Sequence, residues 1–195
     1  GIYNISYLPL VFSLTYLLFV IRILFIFPIE KISIPLLEIT IIFLVMTSLS
    51  SILYLHQQPL GVELCLTVVF LTNLSDVFAL LGGATLGKKH LLPQISPNKT
   101  IAGVITALVA TVGLAFIFNQ GLGLGLDGWA VIFFGSIISI SAQAGDLVAS
   151  FAKRQAGIKD FGNLIPGHGG ILDRCDSLIF SLPIAILCLV GIGTI

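Results

Sequence analysis

One polar segment of the chain, residues 150–176, combines basic residues, glycines and carboxylates in an order suited to phosphate chemistry. Its basic residues are Lys153, Arg154, Lys159 and Arg174. A Pro-Gly-His-Gly-Gly run at 166–170 places His168 in a glycine-rich loop. Lysine and arginine bind phosphate oxygens, and carboxylates bind hard cations such as Mg²⁺. The combination is typical of metal-assisted phosphoryl or nucleotidyl transfer.

Two carboxylates follow the glycine-rich run. Asp173 and Asp176 are three residues apart at a predicted helix start, which puts both on one face of the helix. Acidic residues in a first turn are also favoured by the helix dipole, so helix capping explains part of the pattern. Capping does not explain the glycine-rich run or the basic residues before it, so the segment favours a functional site.

Two further carboxylates, Asp76 and Asp146, lie inside long apolar runs. A carboxylate at the centre of a bilayer costs on the order of 3 kcal/mol, so such a residue usually faces the interior of a helix bundle and marks a site. The alternative is a hydrogen-bonded carboxyl group that links helices. Asp146 comes shortly before the polar segment 150–176, which favours the functional interpretation for that residue.

A second polar segment reads Ser-Pro-Asn-Lys-Thr at residues 96–100, directly before an apolar run. Backbone N–H groups and hydroxyls at a helix start can donate to an anion, and Lys99 adds a positive charge. A basic loop that ends in an ordinary helix cap would look similar, so this segment alone leaves both interpretations open.

The composition requires that much of the surface of this chain contact lipid rather than water. Apolar residues make up 57% of it and charged residues 9%, with a mean hydropathy of +1.13. A soluble domain carries roughly a quarter charged residues, so a soluble protein and a nucleic-acid-binding protein are both excluded. With 195 residues there is room for about six membrane crossings.

The apolar runs predict an all-α membrane bundle. They do not alternate between apolar and polar residues, as the strands of a transmembrane barrel would. The six predicted helices cover residues of about 5–27, 33–55, 61–86, 101–118, 128–152 and 176–195. We expect an N-terminal helical pair at 1–60 and a catalytic membrane domain at 61–195.

The basic residues predict the orientation of the bundle. All nine lysines and arginines lie in or beside the first, third and fifth connections between the predicted helices, and the other connections and both ends have none. Basic residues are enriched in cytoplasmic loops. This places both polar segments in the cytoplasm and both termini on the other side.

The residues from Ser150 to Asp176 resemble the signature of the phosphatidate cytidylyltransferase (CDP-diacylglycerol synthase) family. That signature is Ser, two residues, Lys-Arg, four residues, Lys-Asp, then Pro-x-His-Gly-Gly, two residues and Asp-Arg-x-Asp, and it aligns here without a gap. The segment at 96–100 and Asp76 resemble further family positions, so the resemblance covers roughly residues 70–190. It implies an integral membrane enzyme that converts CTP and phosphatidate into CDP-diacylglycerol and pyrophosphate, with homodimers expected.

The resemblance also suggests roles for individual residues. We expect Asp146 and Asp173 to bind Mg²⁺, with Asp176 adjacent or binding a second cation, and Lys159 to belong to the same catalytic group. Phosphates would be held by Lys153, Arg154, Lys159 and Arg174. Part of the CTP or the lipid phosphate would contact Ser96, Lys99 and Thr100. His168 would contact a phosphate or the ribose rather than act as a base, and Asp160 would pair with Lys159 or contact the nucleotide.

Other functions remain open at this point. A CDP-archaeol synthase or a polyprenol kinase would also be a CTP-dependent lipid enzyme of similar build, and a kinase would release CDP in place of pyrophosphate. A non-catalytic protein, either a scaffold or a transporter with Asp76 and Asp146 on an ion path, is a third possibility. Transporters commonly contain internal repeats, and we find none in this sequence.

Overall fold

The computed structural model of the chain describes residues 34–93, 95–162 and 170–195, without the side chains of 34–38 and 97. The predicted first helix, at about 5–27, lies outside these residues, as does His168. Five helices make up most of the described part. They are α1 (Ile34–His56), α2 (Gly61–Leu86), α3 (Ile101–Leu122), α4 (Gly128–Gln155) and α5 (Leu172–Gly191).

All five helices are long and apolar enough to cross a membrane. The shortest, α5, has 20 residues, and a helix of that length spans about 30 Å, the thickness of the hydrocarbon core. The predicted second to fifth spans coincide with α1 to α4 within a few residues. The last helix begins at Leu172, four residues before its predicted start at 176, so that Asp173 lies in its first turn. The all-α membrane fold is therefore confirmed.

The centre of the bundle is formed by α4 and α5. Half or more of the apolar window of each is buried, 56% in α4 and 50% in α5, against 22% in α3. Phe134 and Ile138 of α4 pack with Leu182 and Ile186 of α5 in the main core. Residues on these two helices are therefore more often buried than those on α3.

The connection between α2 and α3 is not a simple loop. It contains a two-stranded antiparallel hairpin of β1 (His90–Leu92) and β2 (Ser96–Thr100), in which His90 pairs with Thr100. β2 continues directly into α3, and the Thr100 hydroxyl caps that helix by accepting a hydrogen bond from the N–H of Gly103 at 3.1 Å. The hairpin fixes the direction in which Lys99 leaves the backbone.

Helices α2 and α3 approach closely because small residues lie between them. A Cβ atom on Gly103 would collide with the carbonyl oxygen of Ala79, and one on Gly82 would collide with the Thr106 side chain. Small residues of this kind allow close contact between membrane helices. The contact holds the hairpin against the end of α2.

We expect Gly103→Val to destabilise the bundle, because the added side chain must push α2 and α3 apart. Overpacking typically costs about 1–3 kcal/mol, which corresponds to a fall in Tm of roughly 5 °C for a domain of this size. The measurement is thermal unfolding of the purified protein in detergent. Gly113→Val on the same helix is the matched control, since a Cβ there would meet no atom within 4 Å. Equal Tm values for the two variants would contradict the close contact.

Candidate active site

Helices α4 and α5 bring Asp146 and Asp176 together. Gly145 lies against Phe180 of α5, and a Cβ atom at Gly145 would lie 2.7 Å from the Phe180 Cβ. One turn earlier, the Ser141 hydroxyl donates to Ser181 at 3.2 Å. This close packing places the two carboxylates within electrostatic range of each other.

Helix α2 adds a third carboxylate, Asp76. The hydroxyls of Ser75 and Ser139 are 3.0 Å apart and join α2 to α4 inside the bundle. The Asp76 carboxylate interacts with the Ser177 hydroxyl and lies within electrostatic range of Asp146 and Asp176. Sequence reasoning singled out Asp76 for its depth in an apolar run but did not include it among the site residues, and the structure places it with them.

Lys99 reaches this group from the hairpin. Its Nζ donates to Asp146 Oδ2 at 2.8 Å and to the backbone carbonyl of Gln143 at 3.0 Å. The Lys99 side chain is only 15% exposed. Lys99 therefore joins the Ser-Pro-Asn-Lys-Thr segment to the C-terminal half of α4, although the two are far apart in the sequence.

Asp173 contacts both described ends of the segment that connects α4 to α5. Its Oδ1 accepts a hydrogen bond from Lys153 Nζ at 2.9 Å, and its Oδ2 accepts from the backbone N–H groups of Phe161 and Gly170 at 2.9 and 3.0 Å. The side chains of Asp173 and Lys153 are 5% and 12% exposed. Lys153 Nζ also lies 5.2 Å from the centre of the Phe161 ring and 3.9 Å from Asp176 Oδ2. One carboxylate therefore ties the described ends of the loop to α4 and α5.

The charges of this group suit a divalent cation. Four carboxylates, on Asp76, Asp146, Asp173 and Asp176, face two ammonium groups, on Lys99 and Lys153. When all are ionised, these six groups carry two uncompensated negative charges inside the bundle, where unpaired charge is costly.

The geometry indicates which kind of metal coordination fits. Within the described part of the chain, no three His, Cys, Asp or Glu side chains come close enough to hold one ion together. Mg²⁺ is usually bound by one or two carboxylates together with substrate phosphates and water, rather than by a complete protein cage. Asp146 and Asp176 fit that arrangement best, because among the described residues Asp176 Oδ2 has only Lys153 at 3.9 Å and Asp146 Oδ2 has only the Lys99 ammonium. Asp173, in contrast, is held by three hydrogen bonds, two of them from the backbone.

The remaining candidate residues lie near the site in the sequence or outside the described part. Four side chains are exposed between the last turn of α4 and the first turn of α5, namely Arg154, Lys159, Asp160 and Arg174. Ser96 begins β2, and Thr100 ends it with its hydroxyl on the α3 cap. The role predicted for His168 stays a prediction.

Similarity to known proteins identifies the family of this chain. The profile of the cytidylyltransferase family matches residues 4–191. The chain is 40% identical over 130 residues to a phosphatidate cytidylyltransferase of Staphylococcus haemolyticus, covering 67% of this chain and 50% of that protein. It is 34% identical over 142 residues to one of Rickettsia bellii, covering 70% and 62% of the two chains. The chain spans about half the length of the staphylococcal relatives that it matches.

Proposed function

Because this chain belongs to the cytidylyltransferase family, we propose that it transfers a cytidylyl group from CTP to phosphatidate, giving CDP-diacylglycerol and pyrophosphate. Two of its relatives carry the name phosphatidate cytidylyltransferase, which supports this reaction. The observation that carries the proposal is the convergence of Asp76, Asp146 and Asp176 with Lys99 at one end of a membrane bundle. A charged site near the end of a membrane bundle would be accessible both to a lipid phosphate and to water.

The chemistry follows from the charges of the two substrates. The phosphate monoester of phosphatidate has a second pKa near 6, so it is largely a dianion at neutral pH and needs no general base. One of its oxygens attacks the α-phosphorus of CTP, a new P–O bond forms, and the bond to the β-phosphate oxygen breaks to release pyrophosphate. The barrier lies in bringing two anions together and in stabilising the leaving group.

Charged side chains of this chain would reduce the repulsion between the two anions and stabilise the leaving pyrophosphate. Arg154, Lys159 and Arg174 are exposed on the connection between α4 and α5 and its flanking turns, from which they would hold the phosphates of CTP. Asp146 and Asp176 would bind Mg²⁺, which when bound withdraws charge from the phosphates. Asp173 is proposed as the residue that keeps the glycine-rich loop in place, and its predicted direct contact with the metal would require it to exchange hydrogen bonds.

We also propose that this end of the bundle faces the cytoplasm. The ends of α2 and α4 and the starts of α3 and α5 all lie at the site, because Lys99 contacts Asp146 and Lys153 contacts Asp173. Both basic segments are therefore on the same side, which agrees with the orientation expected from basic residues. CTP is supplied on that side.

The test is turnover of the purified protein in detergent with labelled CTP, phosphatidate and Mg²⁺, in which both lipid product and pyrophosphate are measured. We expect equal amounts of CDP-diacylglycerol and pyrophosphate, and loss of both by at least about 100-fold on chelation of divalent metal. Release of CDP with a phosphorylated lipid would show a kinase instead. Failure with phosphatidate but turnover with an archaeal ether lipid would assign a different acceptor.

A further inference from the structure

We propose that Lys99 is a built-in counter-ion of Asp146 that competes with the divalent cation and contacts substrate phosphate once that cation is bound. This inference rests on the proposed function, because it concerns the cation and phosphates of that reaction. Lys99 would thus occupy two positions, one on Asp146 before the cation binds and one on a substrate phosphate afterwards.

The first observation is the position of the Lys99 ammonium. It lies on two acceptors of one turn of α4, Asp146 Oδ2 at 2.8 Å and the Gln143 carbonyl at 3.0 Å. Mg²⁺ binds carboxylate oxygens at about 2.0–2.1 Å. A dication on Asp146 would therefore stand within a few ångströms of the ammonium, and the two like charges would repel each other.

The second observation is that the positive charge of Lys99 does not balance the carboxylates around it. Asp76 also lies within electrostatic range of Lys99, so one ammonium serves two carboxylates. The other nearby ammonium, on Lys153, is held 2.9 Å from Asp173. A doubly charged ion would compensate Asp76 and Asp146 better than Lys99 does.

The third observation is that Lys99 can leave without disturbing the fold. Its backbone belongs to β2, which pairs with β1 and ends in the Thr100 cap of α3. The ammonium is at the end of a flexible four-carbon stem, so it can move while the strand stays in place. Once displaced, the ammonium remains tethered to β2 at the site, where a phosphate would be its next partner.

The primary experiment measures Mn²⁺ binding without CTP, from the loss of the electron paramagnetic resonance signal of free Mn²⁺. Wild type, Lys99→Gln, Lys99→Arg and Lys89→Gln are compared in detergent. We expect Lys99→Gln to bind Mn²⁺ about tenfold more tightly, because its competitor is gone. Lys99→Arg keeps the charge and should remain close to wild type. Lys89→Gln removes an equal charge from an exposed position on the same connection and should also bind as wild type does.

A second measurement uses the wild-type protein alone, so it does not depend on the folding of any variant. Lysines are acetylated by a water-soluble reagent with and without Mn²⁺, and each site is quantified by mass spectrometry. We expect Mn²⁺ to raise labelling of Lys99 several-fold, since the ammonium leaves a position where its side chain is 15% exposed. Labelling of Lys89 should not change.

The outcomes separate this inference from the proposed function. Mn²⁺ binding by Lys99→Gln that equals or falls below that of Lys89→Gln, or labelling of Lys99 unaffected by Mn²⁺, would overturn the competition. CTP binding at saturating Mn²⁺ should be at least about fivefold weaker in Lys99→Gln, and an unchanged affinity would overturn the phosphate contact. Tighter Mn²⁺ binding in a protein that makes no CDP-diacylglycerol would refute the proposed reaction and leave the competition standing.

Discussion

Asp146→Asn should lower the rate of CDP-diacylglycerol formation by about 10²–10³-fold. The substitution keeps the size of the side chain and removes the charge that faces Lys99 at 2.8 Å and lies within range of Asp76 and Asp176. The site then attracts a divalent cation less strongly, and the phosphates of CTP lose the neutralisation that their reaction needs. The measurement is steady-state turnover in detergent over a range of Mg²⁺ concentrations.

The matched control for this prediction is Asp127→Asn. Asp127 is exposed at the opposite end of the same helix and caps α4 without a side-chain hydrogen bond. Its variant should retain activity within about twofold of wild type, as exposed substitutions away from a site usually do. Turnover in Asp146→Asn within tenfold of wild type at every Mg²⁺ concentration would remove Asp146 from the cation site.

Asp173→Asn should cost both stability and activity. Its carboxylate is buried and accepts three hydrogen bonds, from Lys153, Phe161 and Gly170. Removing one partner of a buried ion pair typically costs about 3–5 kcal/mol, because the other charge is left uncompensated. We expect a lower unfolding free energy and faster hydrogen exchange around Phe161 and Gly170. Turnover should fall because the loop loses its attachment.

A double-mutant cycle with Lys153→Met isolates the ion pair from the loop contacts. If the two charges act as a pair, the double variant should lose much less unfolding free energy than the sum of the two single variants. The reason is that Lys153→Met removes the ammonium that Asp173→Asn leaves uncompensated. Asp160→Asn, at an exposed position in the same segment, should leave thermal unfolding unchanged. Additive losses in the cycle, or normal metal-dependent turnover in Asp173→Asn, would contradict the role given to Asp173.

The membrane class and the helices could be read from the sequence, because hydropathy is a local property of the chain. The predicted spans at 33–55 and 61–86 coincide with Ile34–His56 and Gly61–Leu86 to within one residue. The signature from Ser150 to Asp176 likewise pointed to the family, because its spacing lies within one continuous segment. Neither result required knowledge of how the helices pack.

The start of the last helix was predicted only approximately, and the hairpin before α3 was not predicted. The apolar run placed the span at about 176–195, although the spacing of Asp173 and Asp176 also indicated a helix start near these residues. The helix begins at Leu172, and Asp173 in its first turn pairs with Lys153 and accepts hydrogen bonds from the loop backbone. The hairpin is short, and its pairing of His90 with Thr100 depends on packing against α2, which no local pattern encodes.

The sequence by itself determined that this is a helical membrane protein of the cytidylyltransferase family, and it nominated the residues of a candidate site. Only the tertiary structure decided which of them meet. Asp76 joins Asp146 and Asp176 because Ser75 and Gly145 let α2 and α5 pack closely on α4. The Lys99 ammonium lies on Asp146, 47 positions away in the sequence, because the hairpin directs it there. Such contacts depend on helix rotation and interhelical distance, which follow from packing of whole faces and not from the order of residues along one helix.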